Sequence, residues 1–173
     1  MSFVVRELTA EQAQTRIPAL VALFQDALDS GAALGFLAPV AEGELEEYWR
    51  EVAEAVAQGH RILLVAEADG QLLGTTQLDL ATKSNGLHRA EVCKVMVHRR
   101  ARRQGVARRL LAAVDEKARQ QQRTTLLLDT RQHDPSEQLY QQAGYTVAGT
   151  IPDFARSSSG ELHATVIYYK LLS

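Results

Sequence analysis

The sequence predicts an α/β fold in which helices cover both faces of a mixed sheet. Apolar, β-prone residues up to Val97 give way to apolar residues at helical spacing from Val106, so a buried strand leads into a helix. Asp69-Gly70 is a pair favoured in two-residue hairpins. A short apolar strand at 124–129 follows the helix, and strand–helix–strand implies a right-handed parallel crossover.

Caps, breakers and apolar spacing define the elements of the N-terminal half. Residues 3–8 predict a strand, and Thr9 with Gln12 has the spacing of a capping box before a helical stretch. Pro18 either restarts this helix or kinks it. Residues 44–58 carry a helical apolar stripe that includes a core tryptophan. The other predicted elements of this half are an aperiodic loop at 31–39 and hairpin strands at 61–67 and 71–80.

The C-terminal half is predicted to contain the central strand, two helices and three more strands. The central strand spans 91–98 and its helix starts at Val106. Asp134-Pro135-Ser136-Glu137 offers a cap, a first-position proline and a third-position glutamate, so a second helix opens there, and Gly144 ends it. The last strands are 145–151 and 162–171, separated by a loop at 152–160.

Length and composition favour one domain over residues 1–173. An apolar content of 46% is enough for one core. The only cysteine, Cys93, excludes an internal disulfide framework. Strand alternation places Cys93 and His98 on opposite faces of the strand, so a small buried thiol is expected rather than a nucleophile with His98 as its base. The start has no signal-peptide pattern and no run approaches the ~20 apolar residues of a membrane span, which predicts a cytoplasmic protein without membrane contact. No Cys/His cluster suggests a metal site.

The charge distribution favours a small polyphosphate ligand over nucleic acid. The formal net charge is −2, whereas general nucleic-acid binders carry a basic excess. Positive charge is concentrated around the central turn, at Lys94, Arg99, Arg100, Arg102, Arg103, Arg108 and Arg109. A plain solvated face is the expectation for Arg99 and Arg109.

The turn between central strand and helix has the chemistry of a phosphate cradle. Residues 102–107 read Arg-Arg-Gln-Gly-Val-Ala, in which Gly105 permits close approach and the first-turn N–H groups lack intrahelical partners. The lettering is neither a Rossmann nor a Walker turn. It resembles the pyrophosphate loop of the GNAT superfamily of N-acetyltransferases; the alternative is a solvated basic helix start.

The resemblance extends over nearly the whole chain. Residues 31–39, 83–97, 126–130 and 149–172 resemble the tabtoxin resistance protein family within that superfamily. It implies the acyl-CoA N-acyltransferase fold, in which strands 91–98 and 124–129 splay apart and acetyl-CoA lies in the gap. The pantetheine arm then pairs with backbone groups left free by the splay.

The resemblance also implies site residues. The cofactor-binding candidates are Val95, Met96, Val97, Arg102, Arg103, Gln104, Gly105, Val106, Ala107 and His133, the last standing where many members carry asparagine. The catalytic candidates are Glu91 and Asp129, which would deprotonate the amine, and Tyr140, which would protonate the thiolate. A solvent-exposed strand-end carboxylate, a cap or loop partner and a core tyrosine are the respective alternatives.

These features predict an N-acetyltransferase that moves acetyl from acetyl-CoA to a small-molecule amine by direct attack in a ternary complex. The acceptor would be an amino-acid-like, toxin or antibiotic amine, which suggests a resistance or detoxification role. A non-catalytic acyl-CoA sensor would keep the cradle and need no Tyr140. Acetylation of a protein- or RNA-linked amine is the other alternative, and the chain is expected to be a monomer or a homodimer.

Overall fold

The computed structural model describes residues 2–173 and confirms a mixed sheet with helices on both faces. The described residues form one seven-stranded sheet of order β1-β2-β3-β4-β5-β7-β6. The strands are β1 Val4–Leu8, β2 Arg61–Ala68, β3 Gln71–Leu80, β4 Arg89–Val97, β5 Thr125–Arg131, β6 Thr146–Arg156 and β7 Leu162–Leu171. The helices are α1 Ala10–Thr15, α2 Ile17–Asp29, α3 Glu44–Ala57, α4 Val106–Gln120 and α5 Ser136–Gln142.

The sheet is split at its centre. β4 and β5 are its one parallel pair within residues 2–173, and they pair only where residues 89–91 meet residues 125–127. Beyond Glu91 the two strands separate, while β5 continues along β7 as far as Arg131. The expected splay of the central strands is therefore present, and it leaves one edge of β4 without a strand partner.

Each face of the sheet has its own core. The α4-side core contains Leu110 and Val114 of α4, both fully buried. The α2/α3-side core contains Phe24 and Trp49, and Trp49 is 1% exposed, which confirms the prediction of a core tryptophan. α4 lies close to the sheet at Gly74, where an added Cβ would come within 2.7 Å of the Met96 carbonyl oxygen and 3.1 Å of Val106.

Several local predictions hold in detail. Thr9 and Gln12 form the complete capping box of α1. Pro18 restarts the helix and does not kink it, because α1 ends at Thr15 and α2 begins at Ile17 with the proline in its first turn. Asp69 and Gly70 both have positive φ, as the tight hairpin between β2 and β3 requires.

A β-bulge at Lys94 overturns the assumption of unbroken alternation in β4. Gln77 pairs with Cys93 and Thr75 with Met96, so β4 contains one extra residue, and Lys94 has φ +53°. Side chains therefore change sides: Val92 belongs to the α4-side core and Met96 to the α2/α3-side core.

The bulge corrects the prediction that alternation alone separates Cys93 from His98. The His98 ring lies 3.6 Å from the Asp26 carboxylate of α2, on the side to which Met96 also points. His98 Nδ1 accepts a hydrogen bond from the Arg100 amide. These partners, and not strand alternation, tie His98 to α2 and to the turn after β4.

The loop predicted at 152–160 is shorter than expected. β6 continues to Arg156 through irregular pairing with β7 and a positive φ at Asp153. Pro152 is tolerated because it lies in the irregular stretch between Ile151 and Ala155 of this edge strand, where no register partner in β7 needs its missing N–H donor. Over residues 2–173, none of the helices has both the length and the apolarity that a membrane span needs.

Candidate active site

Two clefts lie along the free edge of β4. The larger, which we call the acceptor cleft, has a volume of about 800 Å³ and is bounded by the loop at 31–38 and by parts of β4, β5 and β6. The smaller, the anion cleft, has about 340 Å³ and lies at the start of α4. Val95 lines the first and Val97 the second, so the unpaired edge of β4 runs from one cleft to the other.

The anion cleft is built on an uncapped helix start. Gly105 is the N-cap of α4 with φ +81°, and no side chain accepts a hydrogen bond from the first-turn amides. Arg109 N–H donates to the Gly105 carbonyl at 3.0 Å, so the amides of residues 106–108 precede the first helical bond. A Cβ on Gly105 would meet no atom within 4 Å. The geometry leaves room for an anion at the positive end of the helix dipole.

Most of the predicted phosphate-loop residues lie in this cleft. Its lining includes Val97, Arg102, Arg103, Gly105, Val106 and Ala107. Arg103 also has a positive φ, and Arg102 Nε donates to the Val97 carbonyl at 3.3 Å. Gln104 lies outside the lining and donates to the Arg100 carbonyl instead.

The remaining basic residues separate into different environments. Arg99 bonds to Asp26 through both its amide and its guanidinium, and Arg109 stacks over the Phe3 ring at 5.2 Å. Both are therefore engaged away from the cradle. Its sequence position places Lys94 in this basic patch, but in the structure it lines the acceptor cleft and not the anion cleft.

The strand residues predicted to meet pantetheine lie on the free edge of β4. Met96 and Val97 pair with Thr75 and Gly74 of β3 on one side only. Their side chains are used in packing: Met96 is 3% exposed in the α2/α3-side core, and Val97 packs against the α4-side core. Any ligand pairing here would use backbone groups.

Both predicted carboxylates line the acceptor cleft. The Asp129 carboxylate accepts a hydrogen bond from the Thr165 hydroxyl at 2.7 Å. Glu91 is open to solvent at the cleft, yet desolvation by the surrounding protein raises the pKa of its carboxyl, and the negative charges of Asp129 and Asp79 raise that pKa further. A carboxylate with a raised pKa is a better proton acceptor than an ordinary one.

Tyr140 also reaches the acceptor cleft, from the opposite core. It is 6% exposed, and its ring lies 6.1 Å from those of Tyr145 and Tyr168. Burial raises the pKa of its phenol well above the usual value. The hydroxyl therefore stays protonated at neutral pH and is available as a hydrogen-bond donor.

Two other predicted residues have different surroundings. His133 is exposed with φ +68°, its amide donates to the Glu137 carboxylate, and its side chain lines neither cleft. Cys93 lines the acceptor cleft, and burial raises the pKa of its thiol to about 12. A thiol of that pKa is a poor nucleophile at neutral pH.

A polar network beneath the acceptor cleft was not predicted from the sequence. Arg61 donates to Asp79 at 2.9 Å and to Gln77 at 3.1 Å, and the fully buried Gln77 amide donates to the Tyr48 hydroxyl at 2.9 Å. The hairpin register could have paired Arg61 with Asp79. Tyr48 comes from α3, and no spacing in the sequence indicates that contact.

Residues 17–145 match the family described as Acetyltransferase (GNAT) family. An uncharacterized N-acetyltransferase from the hisH-hisA intergenic region of Azospirillum brasilense is 37% identical over 109 residues. The match covers 62% of this chain and 63% of the relative, so it spans less than two thirds of that relative.

Solved structures share the fold at low sequence identity. The ribosomal-protein-alanine N-acetyltransferase from Brucella melitensis has a TM-score of 0.81 at 24% identity, covering 98% of this chain and 99% of that one. The structure of yncA from Salmonella typhimurium with its cofactor acetyl-CoA has a TM-score of 0.82 at 18% identity, covering 100% and 95%.

Proposed function

The chain belongs to the acetyltransferase (GNAT) family, and from this premise we propose that it transfers acetyl from acetyl-CoA to the amine of a small molecule by direct attack in a ternary complex. One observation carries the proposal: the free edge of β4 connects an uncapped helix start to a cleft that contains two carboxylates and a protonated phenol. A polyphosphate suits the uncapped helix start, and the chemistry of an amine suits the cleft with the carboxylates and the phenol. The family's use of acetyl-CoA supports this cofactor.

The anion cleft fits the pyrophosphate of acetyl-CoA. The amides of residues 106–108 are the donors, and Arg102 and Arg103 supply positive charge at the same cleft. The backbone of Val95 and Val97 would pair with the amide-bearing arm as an added strand. Gln104 and His133 are weaker members of this set, because neither lines a cleft.

Acetyl-CoA supplies an activated thioester, whose C–S bond breaks as the amine nitrogen forms the new C–N bond. An alkylamine with a pKa near ~10.4 arrives protonated. Glu91, whose pKa is raised, accepts that proton directly or through water, with Asp129 as its partner. After the attack the nitrogen loses its second proton to solvent, while Tyr140 donates its proton to the departing sulfur and recovers one from solvent.

The finer resemblance to the tabtoxin resistance protein family supports an amino-acid-like or toxin amine as acceptor, and with it a role in resistance or detoxification. The loop at 31–38 and residues 154–159 bound the acceptor cleft, so they are proposed to select the acceptor. We propose that residues 1–173 form one catalytic domain that acts in the cytoplasm.

A thiol-release assay tests the proposal. Acetyl-CoA is mixed with the protein and a panel of amines, and free CoA is measured with a thiol reagent alongside mass detection of the acetylated product. Amine-dependent release supports the proposal. Acetyl-CoA binding without any release would instead indicate a sensor, and product found only on protein or RNA would move the acceptor to a macromolecule.

A further inference from the structure

Lys94 is a half-buried cation that lines the acceptor cleft and has no ion-pair partner among the described residues. Its Nζ lies 5.9 Å from the centre of the Tyr48 ring and 3.4 Å from where a Cβ on Gly35 would stand. Within residues 2–173, none of the ion pairs within 4.0 Å includes Lys94. The β-bulge fixes the backbone position of Lys94, because Lys94 is the extra residue of β4.

An unpaired ammonium in this position is costly for the free protein. Charged groups removed from water are normally paired, and burial lowers the pKa of Lys94, while the negative charges of Asp129 and Glu91 offset only part of that effect. The Tyr48 ring face compensates only in part. Gln77 holds the Tyr48 hydroxyl at 2.9 Å, so the ring beneath the cation is itself fixed. A ligand anion would remove the cost.

The cleft therefore presents both signs of charge to one ligand. Glu91 and Asp129 provide negative charge where an amine must lose its proton, and Lys94 provides positive charge on the side of the 31–38 loop. A polyamine would place a second cation against Lys94, and a monoamine without an anionic group would leave Lys94 unpaired. A zwitterion satisfies both walls.

We propose that Lys94 binds an anionic group of the acceptor, so that the preferred acceptors are amines that also carry a carboxylate. This inference rests on the proposed function and goes beyond it by assigning the residue that selects the substrate. The apolar loop residues Leu34, Phe36 and Leu37 line the same cleft, so an apolar side chain completes the expected acceptor.

The test compares amino acids with their decarboxylated partners: leucine with 3-methylbutylamine and phenylalanine with phenethylamine. At saturating acetyl-CoA, kcat/KM should favour the amino acid of at least one pair by about 10- to 100-fold, the range of one hydrogen bond to a charged group. Lys94→Gln should remove that preference mainly by raising KM, without slowing the decarboxylated amine. Lys94→Arg should retain it.

Arg131→Gln is the matched control, because Arg131 is a second cation lining the same cleft. It should keep the carboxylate preference. Turnover without carboxylate preference, preference that survives Lys94→Gln, or preference lost only in Arg131→Gln would each overturn the assignment. Each of these three outcomes includes turnover and so overturns the Lys94 assignment alone. No turnover of any of the four amines would overturn the acetyltransferase proposal as well, so the two failures are distinguishable.

Discussion

Replacing Gly105 by glutamate should remove most of the stabilisation that acetyl-CoA gives the fold. Gly105 caps α4 with φ +81°, so the new carboxylate would occupy the positive helix end needed by pyrophosphate. At a hundredfold excess over Kd, the cofactor should add about 2.7 kcal/mol of unfolding free energy. At 2–4 °C per kcal/mol for a chain of this size, Tm should rise by about 5–11 °C. A variant that binds about a hundredfold more weakly keeps about 0.4 kcal/mol, or roughly 1 °C.

Gly43 supplies a matched control for backbone strain. It is the N-cap of α3 with φ +80°, and a Cβ there also meets nothing within 4 Å. Gly43→Glu should therefore lower the Tm of the free protein but keep the full acetyl-CoA shift, measured by thermal denaturation at one cofactor concentration. A parental shift in Gly105→Glu, or an equal loss in Gly43→Glu, would refute the cradle.

Three further outcomes are expected. Tyr140→Phe should lower kcat far more than it weakens acetyl-CoA binding, measured by titration calorimetry. Because burial raises the pKa of this phenol, its ionisation should cause no fall of the parent's rate at basic pH. A fully active Tyr140→Phe variant would show that the phenol is not the proton donor. In the pH profile of kcat/KM, activity should rise with pH through the raised pKa of Glu91, and Glu91→Gln should lower the rate by about 10²–10⁴-fold. Asp79→Asn should shift this rise to lower pH, because it removes a negative charge that raises the Glu91 pKa. Unchanged profiles in Glu91→Gln, Asp129→Asn and the double variant would assign deprotonation of the amine to bulk solvent. Gly74→Val should lower the free energy of unfolding in urea by about 1–3 kcal/mol or more, because its Cβ would clash with the Met96 carbonyl. Gly149→Ala should leave that free energy nearly unchanged, because its Cβ would meet nothing within 4 Å. Equal losses of stability in the two variants would contradict the packing argument.

The pH dependence of stability offers a sign check on Glu91. Because its pKa is raised in the folded state, folding favours the protonated carboxyl, and stability falls as pH rises from the ordinary glutamate pKa through the folded one. Glu91→Gln should then be more stable than the parent at neutral pH. Such a gain with a loss of rate is the usual trade-off at an active site.

Local signals in the sequence were sufficient for most elements. The capping box at Thr9, the hairpin pair Asp69-Gly70 and the stripe containing Trp49 are properties of neighbouring residues, and each appears as predicted. Gly105 is likewise found directly before α4, because a glycine before a helical stripe is also a local feature. These predictions needed no knowledge of distant contacts.

The misses depend on partners that lie far away in the sequence. The extent of β6 is decided by pairing with β7, which carries the strand past Pro152. The position of Lys94 depends on a one-residue mismatch between β3 and β4, and Tyr48 reaches Gln77 only because α3 packs on that face. Periodicity within one segment contains no information about such long-range pairings.

The extra residue at Lys94 also has a consequence for reading substitutions along β4. Up to Val92, even-numbered side chains of β4 pack in the α4-side core. Past the bulge, the odd-numbered side chains of Val95 and Val97 pack against that core instead. A saturation library across the strand should therefore show its pattern of tolerated residues invert at Lys94. An alignment that places a one-residue gap elsewhere in β4 would equate side chains from opposite faces of the sheet.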